Sequence, residues 1–287
     1  MRTRLTLLIP AVALATALTA CGDNGPSRTE FTTRADGACT AGNTTISTTA
    51  KPTNAPQVAT AAGAATSTID AQVGSLRAME LPGGKDKDQA LGVINAIAEV
   101  SGPTKAIQEA AGRNDDAAMA KAAVDMQAKA DTASNSAQAF GMSQCGIQLE
   151  FGLGNLFDGI KQVAKANYVT KAESVCRESI RRSEAVAPPG NSLASTSRYL
   201  DAQLVISDKL AADLKAITVP PGDEATVADF LGALENLNAK GKEVSSAAKS
   251  NNPRLVLALV DEVNVAGTAL NSKLDAYGLK GCGTVGS

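Results

Sequence analysis

The chain has 287 residues, a net charge of −2, no His, no Trp and 3% aromatic residues. Lacking His, it lacks the usual general base and the commonest metal ligand at neutral pH. No stretch concentrates positive charge as a nucleic-acid partner requires. Alanine is abundant and strand-favouring residues are not clustered, so an all-α fold is predicted, its helices packed closely through small side chains.

The chain opens MRTRLTLLIPAVALATALTAC. Arg2 and Arg4 precede an uncharged run from Leu5 to Leu18, and small residues precede Cys21. This is the layout of a signal peptide, residues 1–20. Its apolar run falls short of the roughly 20 residues that a spanning helix needs. Leu18-Thr19-Ala20-Cys21 resembles the lipobox of bacterial lipoproteins. That resemblance implies cleavage just before Cys21, a diacylglyceryl thioether on it, and an exported protein anchored to the outer face of the cell membrane. Ordinary secretion with cleavage at a neighbouring small residue is the alternative. Residues 21–30 then form a lipidated polar tether.

From Phe31 the chain repeats itself. FTTRADGAC, Phe31 to Cys39, returns as YVTKAESVC, Tyr168 to Cys176. AQAFGMSQCG, Ala137 to Gly146, returns as LDAYGLKGCG, Leu274 to Gly283. Both shifts are 137 residues. LPGG, Leu81 to Gly84, meets VPPG, Val219 to Gly222, one residue out of step, and Asn114 to Asn251 restores the register. Two modules are expected, 31–146 and 168–283, joined by an amphipathic linker, 147–167.

In the second module a first helix runs from Tyr168 to Val186 and stops at Pro188-Pro189-Gly190. A second carries Leu200, Leu204, Leu210, Leu214 and Ile217 near a 3.6 period and ends at Pro220-Pro221-Gly222. A third carries Val227, Phe230, Leu231, Leu234 and Leu237. The fourth has Asn252 as N-cap, Pro253 at its first position and Gly278 beyond its end. The first module repeats this plan with smaller residues. Its fourth helix sets Met119, Ala123, Met126, Ala130, Ala133, Ala137 and Phe140 opposite the apolar positions of the second module's fourth, Val256, Val260, Val263, Leu270, Leu274 and Tyr277. An alanine seam buries less apolar area, at about 25 cal/mol per Å², so the first module is expected to be the less stable. Each module reads as a four-helix up-down bundle, which brings the start of its first helix and the end of its fourth to one pole.

Cys21 aside, four cysteines remain, and four allow three pairings. A pairing inherited by duplication is intramodular, Cys39–Cys145 and Cys176–Cys282. Export permits stable disulfides, and closing a loop of about 100 residues contributes roughly 4.7 kcal/mol. No C-x-x-C spacing suggests redox chemistry.

Other signals for chemistry are weak. Ser246-Ala247-Ala248-Lys249 matches S-x-x-K without its companion motifs. Asp115-Asp116 and Asp223-Glu224 fall where first helical turns are predicted, where carboxylates favour the dipole. Asp261-Glu262 reads as a solvated face. The linker carries more. Phe151, Leu153, Leu156, Phe157 and Ile160 fit one helical face, which either packs on a module or offers a contact face to a partner or membrane.

The opening Phe/Tyr-x-Thr-Lys/Arg-Ala-Asp/Glu-x-x-Cys, the Pro/Gly break between helices and the closing Phe/Tyr-Gly-x-x-x-Cys-Gly resemble exported small proteins and lipoproteins of high-GC Gram-positive bacteria. The resemblance spans nearly all of both modules and implies compartment and fold, not an activity. Pro52 and Pro56 depart from it near the end of the first helix. The expected function is a non-enzymatic interaction or structural role in the cell envelope, with a membrane partner through the lipid on Cys21 and an envelope protein as a further partner. The alternative is a binding protein holding an apolar or amphiphilic ligand between helices or modules. No cofactor, metal or nucleic acid is expected.

Overall fold

A computed structural model describes residues 25–48 and 50–282, without the side chains of 47 and 146–152. Cys21 and the leader lie outside the described residues, and so does the side chain of Phe151. Among the described residues the fold is all-helical, with no strand. The helices are α1 (Arg28–Ser47), α2 (Ala55–Arg77), α3 (Lys85–Gly112), α4 (Asp116–Phe140), α5 (Ser143–Glu184), α6 (Leu193–Lys215), α7 (Glu224–Lys249) and α8 (Pro253–Tyr277).

Local chemistry sets most of these ends. Ser27 and Glu30 form a capping box at the start of α1. Asn54, Asp115 and Asn252 cap α2, α4 and α8, their side chains accepting from the N–H of Gln57, Ala118 and Leu255 at 3.0, 3.0 and 3.1 Å. Gly141 and Gly278 close α4 and α8 at φ of +92° and +104°, where only glycine avoids a Cβ clash. Asn114 and Asn251 both turn at positive φ, 53° and 51°, after α3 and α7.

The predicted linker and the helix predicted to begin at Tyr168 are one helix. α5 has 42 residues and spans about 63 Å. Its glycines each cost about 1 kcal/mol of helix propensity, and packing outweighs that. The first stretch lies against α1, α2 and α4, and the later stretch meets α6. Asp116 pins the middle, accepting from Asn167 Nδ2 at 2.8 Å and Lys171 Nζ at 2.5 Å.

One apolar core runs unbroken through α1–α4 and into α5 at Leu153, Leu156, Ile160 and Val163. The second half has two smaller clusters. One gathers Tyr168, Phe230, Leu270, Leu274 and Tyr277. The other gathers Val244, Ala247, Ala248 and Val256. In the first half the alanine seam of α4 is narrow, and α5 packs over it.

Two disulfides, Cys39–Cys145 and Cys176–Cys282, each bridge 106 residues with Cα atoms 5.1 Å apart. Around each, the same contacts recur at the 137-residue shift. Arg28 stacks on Phe140 at 4.4 Å and pairs with Asp86 at 3.7 Å. Lys165 lies over Tyr277 at 4.4 Å and pairs with Asp223 at 4.0 Å. Phe31 meets Phe140 edge-on at 6.2 Å, as Tyr168 meets Tyr277 at 5.8 Å.

The acidic residue three before each opening cysteine has a physical role. No side chain of α5 caps its own start. Instead Asp36 of α1 accepts from Ser143 N at 3.1 Å, Ser143 Oγ at 3.0 Å, Gln144 N at 2.8 Å and Cys145 N at 3.3 Å. Glu173 makes the matching bond to Gly281 N at 3.3 Å. Asp36→Ala is expected to lower the unfolding free energy by about 1–2 kcal/mol, since four donors lose a charged acceptor. Urea titration checks this, and an unchanged midpoint would show that water replaces the carboxylate.

Candidate functional site: an open groove in the second half

The later stretch of α5, with α6, α7 and α8, surrounds a cavity of about 750 Å³ that opens to solvent. Leu200, Leu204, Leu210, Leu234 and Leu237 supply apolar walls. Gln203, Ser207, Asn238, Asn264, Thr268 and Asn271 supply amides and hydroxyls. The Cys176–Cys282 bridge lies along it.

Its origin is visible in the other half. Ala123, Met126 and Ala130 of α4 are 0%, 0% and 1% exposed, because α5 covers them. At the 137-residue shift α8 has Val260, 38% exposed, and the half-buried Val263 and Gly267. On α1, Asn43 and Ile46 are buried, whereas their counterparts Ile180 and Ser183 are half-buried. On α2, Val58, Ala62, Ala65 and Ile69 are buried. Their α6 counterparts, one further residue along, are Thr196, Leu200, Gln203 and Ser207, all half-buried. Among the described residues, the slot that α5 fills in the first half is therefore uncovered in the second.

Several polar groups of the groove are paired. Ser183 Oγ donates to Gln203 Oε1 at 2.6 Å, and Gln203 Nε2 returns to the Ser183 carbonyl at 3.2 Å. Ser207 Oγ donates to Asn238 Oδ1 at 2.6 Å, and Asn238 Nδ2 to Asp208 at 3.0 Å. Asn271 Oδ1 differs, being buried without a hydrogen-bond partner. Such an acceptor costs about 1–3 kcal/mol. Its counterpart Ser134 accepts from Gln138 Nε2 at 3.3 Å. Glu184 is the one carboxylate among the lining residues. The groove thus offers shape, apolar area and a few hydrogen bonds, without a neighbouring acid and base.

A second, small cavity of about 10 Å³ lies between the halves, lined by Asp116, Tyr168, Lys171 and Thr218 among others. Burial raises the Tyr168 hydroxyl to about 12, and that oxygen has no hydrogen-bond partner. Burial, then the bond to the Asp223 carboxylate at 2.7 Å, pushes Tyr277 further up.

The residues singled out from sequence fall elsewhere. Leu153, Leu156 and Ile160 are 3%, 4% and 0% exposed and Phe157 packs beside them. The contact face proposed there is closed by the protein's own core. Gly159 sits so near the loop before α2 that an added Cβ would lie 2.5 Å from Pro52 Cδ. Lys249 of the S-x-x-K stretch pairs with Asp201 at 2.8 Å, and Ser245, not Ser246, donates to that carboxylate at 2.6 Å. Asp115 caps α4, whereas Asp223 turns to Tyr277 instead of capping α7. Glu262 pairs with Lys240. Reading the groove from sequence requires the shift to be applied residue by residue. Gly267 then stands against Ala130 and Asn271 against Ser134.

No family model, curated protein or solved structure matches the chain. The duplication is thus the comparison available, and it separates a filled slot from an open one. Gly159→Ala, despite better helix propensity, is expected to destabilise by about 1–3 kcal/mol through overpacking on Pro52. Gly267→Ala meets nothing within 4 Å and is expected to stabilise by about 0.5–1 kcal/mol. Urea titration of both variants checks the opposite signs.

A folded-state hydroxyl at about 12 against roughly 10 unfolded means that the native state holds its proton more tightly. That contribution is intact below pH about 10 and is lost as pH rises through about 12. Tyr168→Phe is expected to flatten the loss across this window and, by removing an unpartnered buried hydroxyl, to raise neutral-pH stability by about 1–3 kcal/mol. Denaturant titration at pH 8 and near pH 11 checks it, and an identical slope in both proteins would refute it.

Proposed function

We propose that this protein is a non-enzymatic binding module of the cell envelope, held at the outer face of the membrane through a lipid on Cys21. In this reading two tandem four-helix bundles, each stapled by its disulfide, are displayed beyond a short tether. α1–α4 form one, and the later stretch of α5 with α6–α8 forms the other. The repeated cation, ring and carboxylate contacts at each pole support the tandem reading.

The uncovered groove carries the functional reading. Its 750 Å³ falls within the roughly 300–1,000 Å³ typical of ligand sites. Leucine walls favour an elongated apolar or amphiphilic guest, and the unpaired Asn271 Oδ1 favours a guest with a hydrogen-bond donor. The lack of a paired acid and base in the lining favours holding over transforming. Native mass spectrometry of protein taken from the membranes of its own host tests both parts. The expected spectrum carries the lipid mass on Cys21 and a non-covalent guest that Gly267→Phe removes. A guest retained by that variant, or no guest at all, would overturn the binding reading, and an unmodified Cys21 would overturn the anchoring.

A further inference from the structure

We infer that the guest of the second-half groove is an amphipathic α-helix, an inference that rests on the binding reading above. The molecule already contains such a complex. In the first half the slot beside α1, α2 and α4 is filled by α5, through Leu153, Leu156, Ile160 and Val163. That stripe spans about 15 Å along its helix. The α8 residues that line the groove, from Val263 at its mouth to the buried Leu274, span about 17 Å, so a guest helix of about three turns matches its length. The two slots share helix order and disulfide position, and among the described residues they differ in whether a helix covers them.

The chemistry of the lining supports the same occupant. A helix satisfies its own backbone hydrogen bonds, so it can enter a groove of leucines and already paired amides without stranding polar groups. Gly267, where α4 has Ala130, leaves α8 open to close approach, with nothing within 4 Å of a built Cβ. Asn271 Oδ1 is the exception in the lining, an acceptor awaiting a donor. The fitting partner is therefore a helix with apolar residues at i, i+3, i+7 and i+10 and a Lys, Gln or Asn donor flanking that stripe. The stripe of α5 has this spacing.

The test titrates a fluorescein-labelled peptide of residues 147–167 into the purified disulfide-bonded protein, followed by anisotropy. A peptide of the same composition with its apolar stripe scrambled is the control. The apolar dye anilinonaphthalene sulfonate is titrated in parallel. Gly267→Phe blocks the groove, and Thr268→Trp at its lip does so independently, with circular dichroism confirming that each variant folds. The expected result is saturable binding of the native-order peptide, at least tenfold weaker for the scrambled peptide and for both variants. Dye binding that the variants abolish, with no preference for the native-order peptide, would overturn the helix assignment and leave the groove reading standing. Dye and peptide binding unaffected by either variant would overturn both.

Discussion

Leu153, Leu156, Ile160 and Val163 lie in one row along α5, and burying that row against α1, α2 and α4 shapes the rest of the molecule. At about 1.5–3 kcal/mol for each large apolar side chain removed from water, the row outweighs the propensity cost of the glycines around it. The consequences are connected. The segment becomes helical and continuous with the helix beginning near Tyr168. The alanine seam of α4 is covered, so small side chains become an asset for close approach. The middle of α5 is brought to Asp116, which ties the two halves together.

The pole of each half is built to hold that geometry. A disulfide joins the first helix to the segment after the fourth, and a carboxylate one turn before the cysteine binds the N–H groups of the incoming strand of chain. A cation lies over the ring that ends the fourth helix and meets a carboxylate at the start of the third. Arg-Phe-Asp in the first half becomes Lys-Tyr-Asp in the second. The exchange adds the Tyr277 hydroxyl, which donates to Asp223 and places a phenol in a site where burial resists its ionisation.

Away from the pole the halves diverge. Among the described residues no helix lies across the second half, which keeps leucines half-exposed along α6 and a polar edge on α8. An apolar surface left open costs stability unless something occupies it. Pairing of Ser183 with Gln203 and of Ser207 with Asn238 limits that cost by satisfying buried polar groups at the groove wall.

The residues alone were enough to read the helical class, the internal repeat and most helix ends, though not the start of α5, expected at Tyr168 and found at Ser143. Each depends on local chemistry repeated at a fixed spacing, such as Asn252 before Pro253, Gly278 after Tyr277 and cysteines 137 positions apart. The disulfide pairing followed from the same repeat. The apolar face of 147–167 was legible as well, but its destination was not, because periodicity says that a face is apolar and not what lies against it. Folding decided that this face belongs to the first half. It also decided that Val260, Val263 and Gly267, aligned in sequence with buried residues, remain uncovered. Burial is a property of neighbours distant in the chain, and the one neighbour that separates the two halves is a helix present beside α4 and absent beside α8 among the described residues.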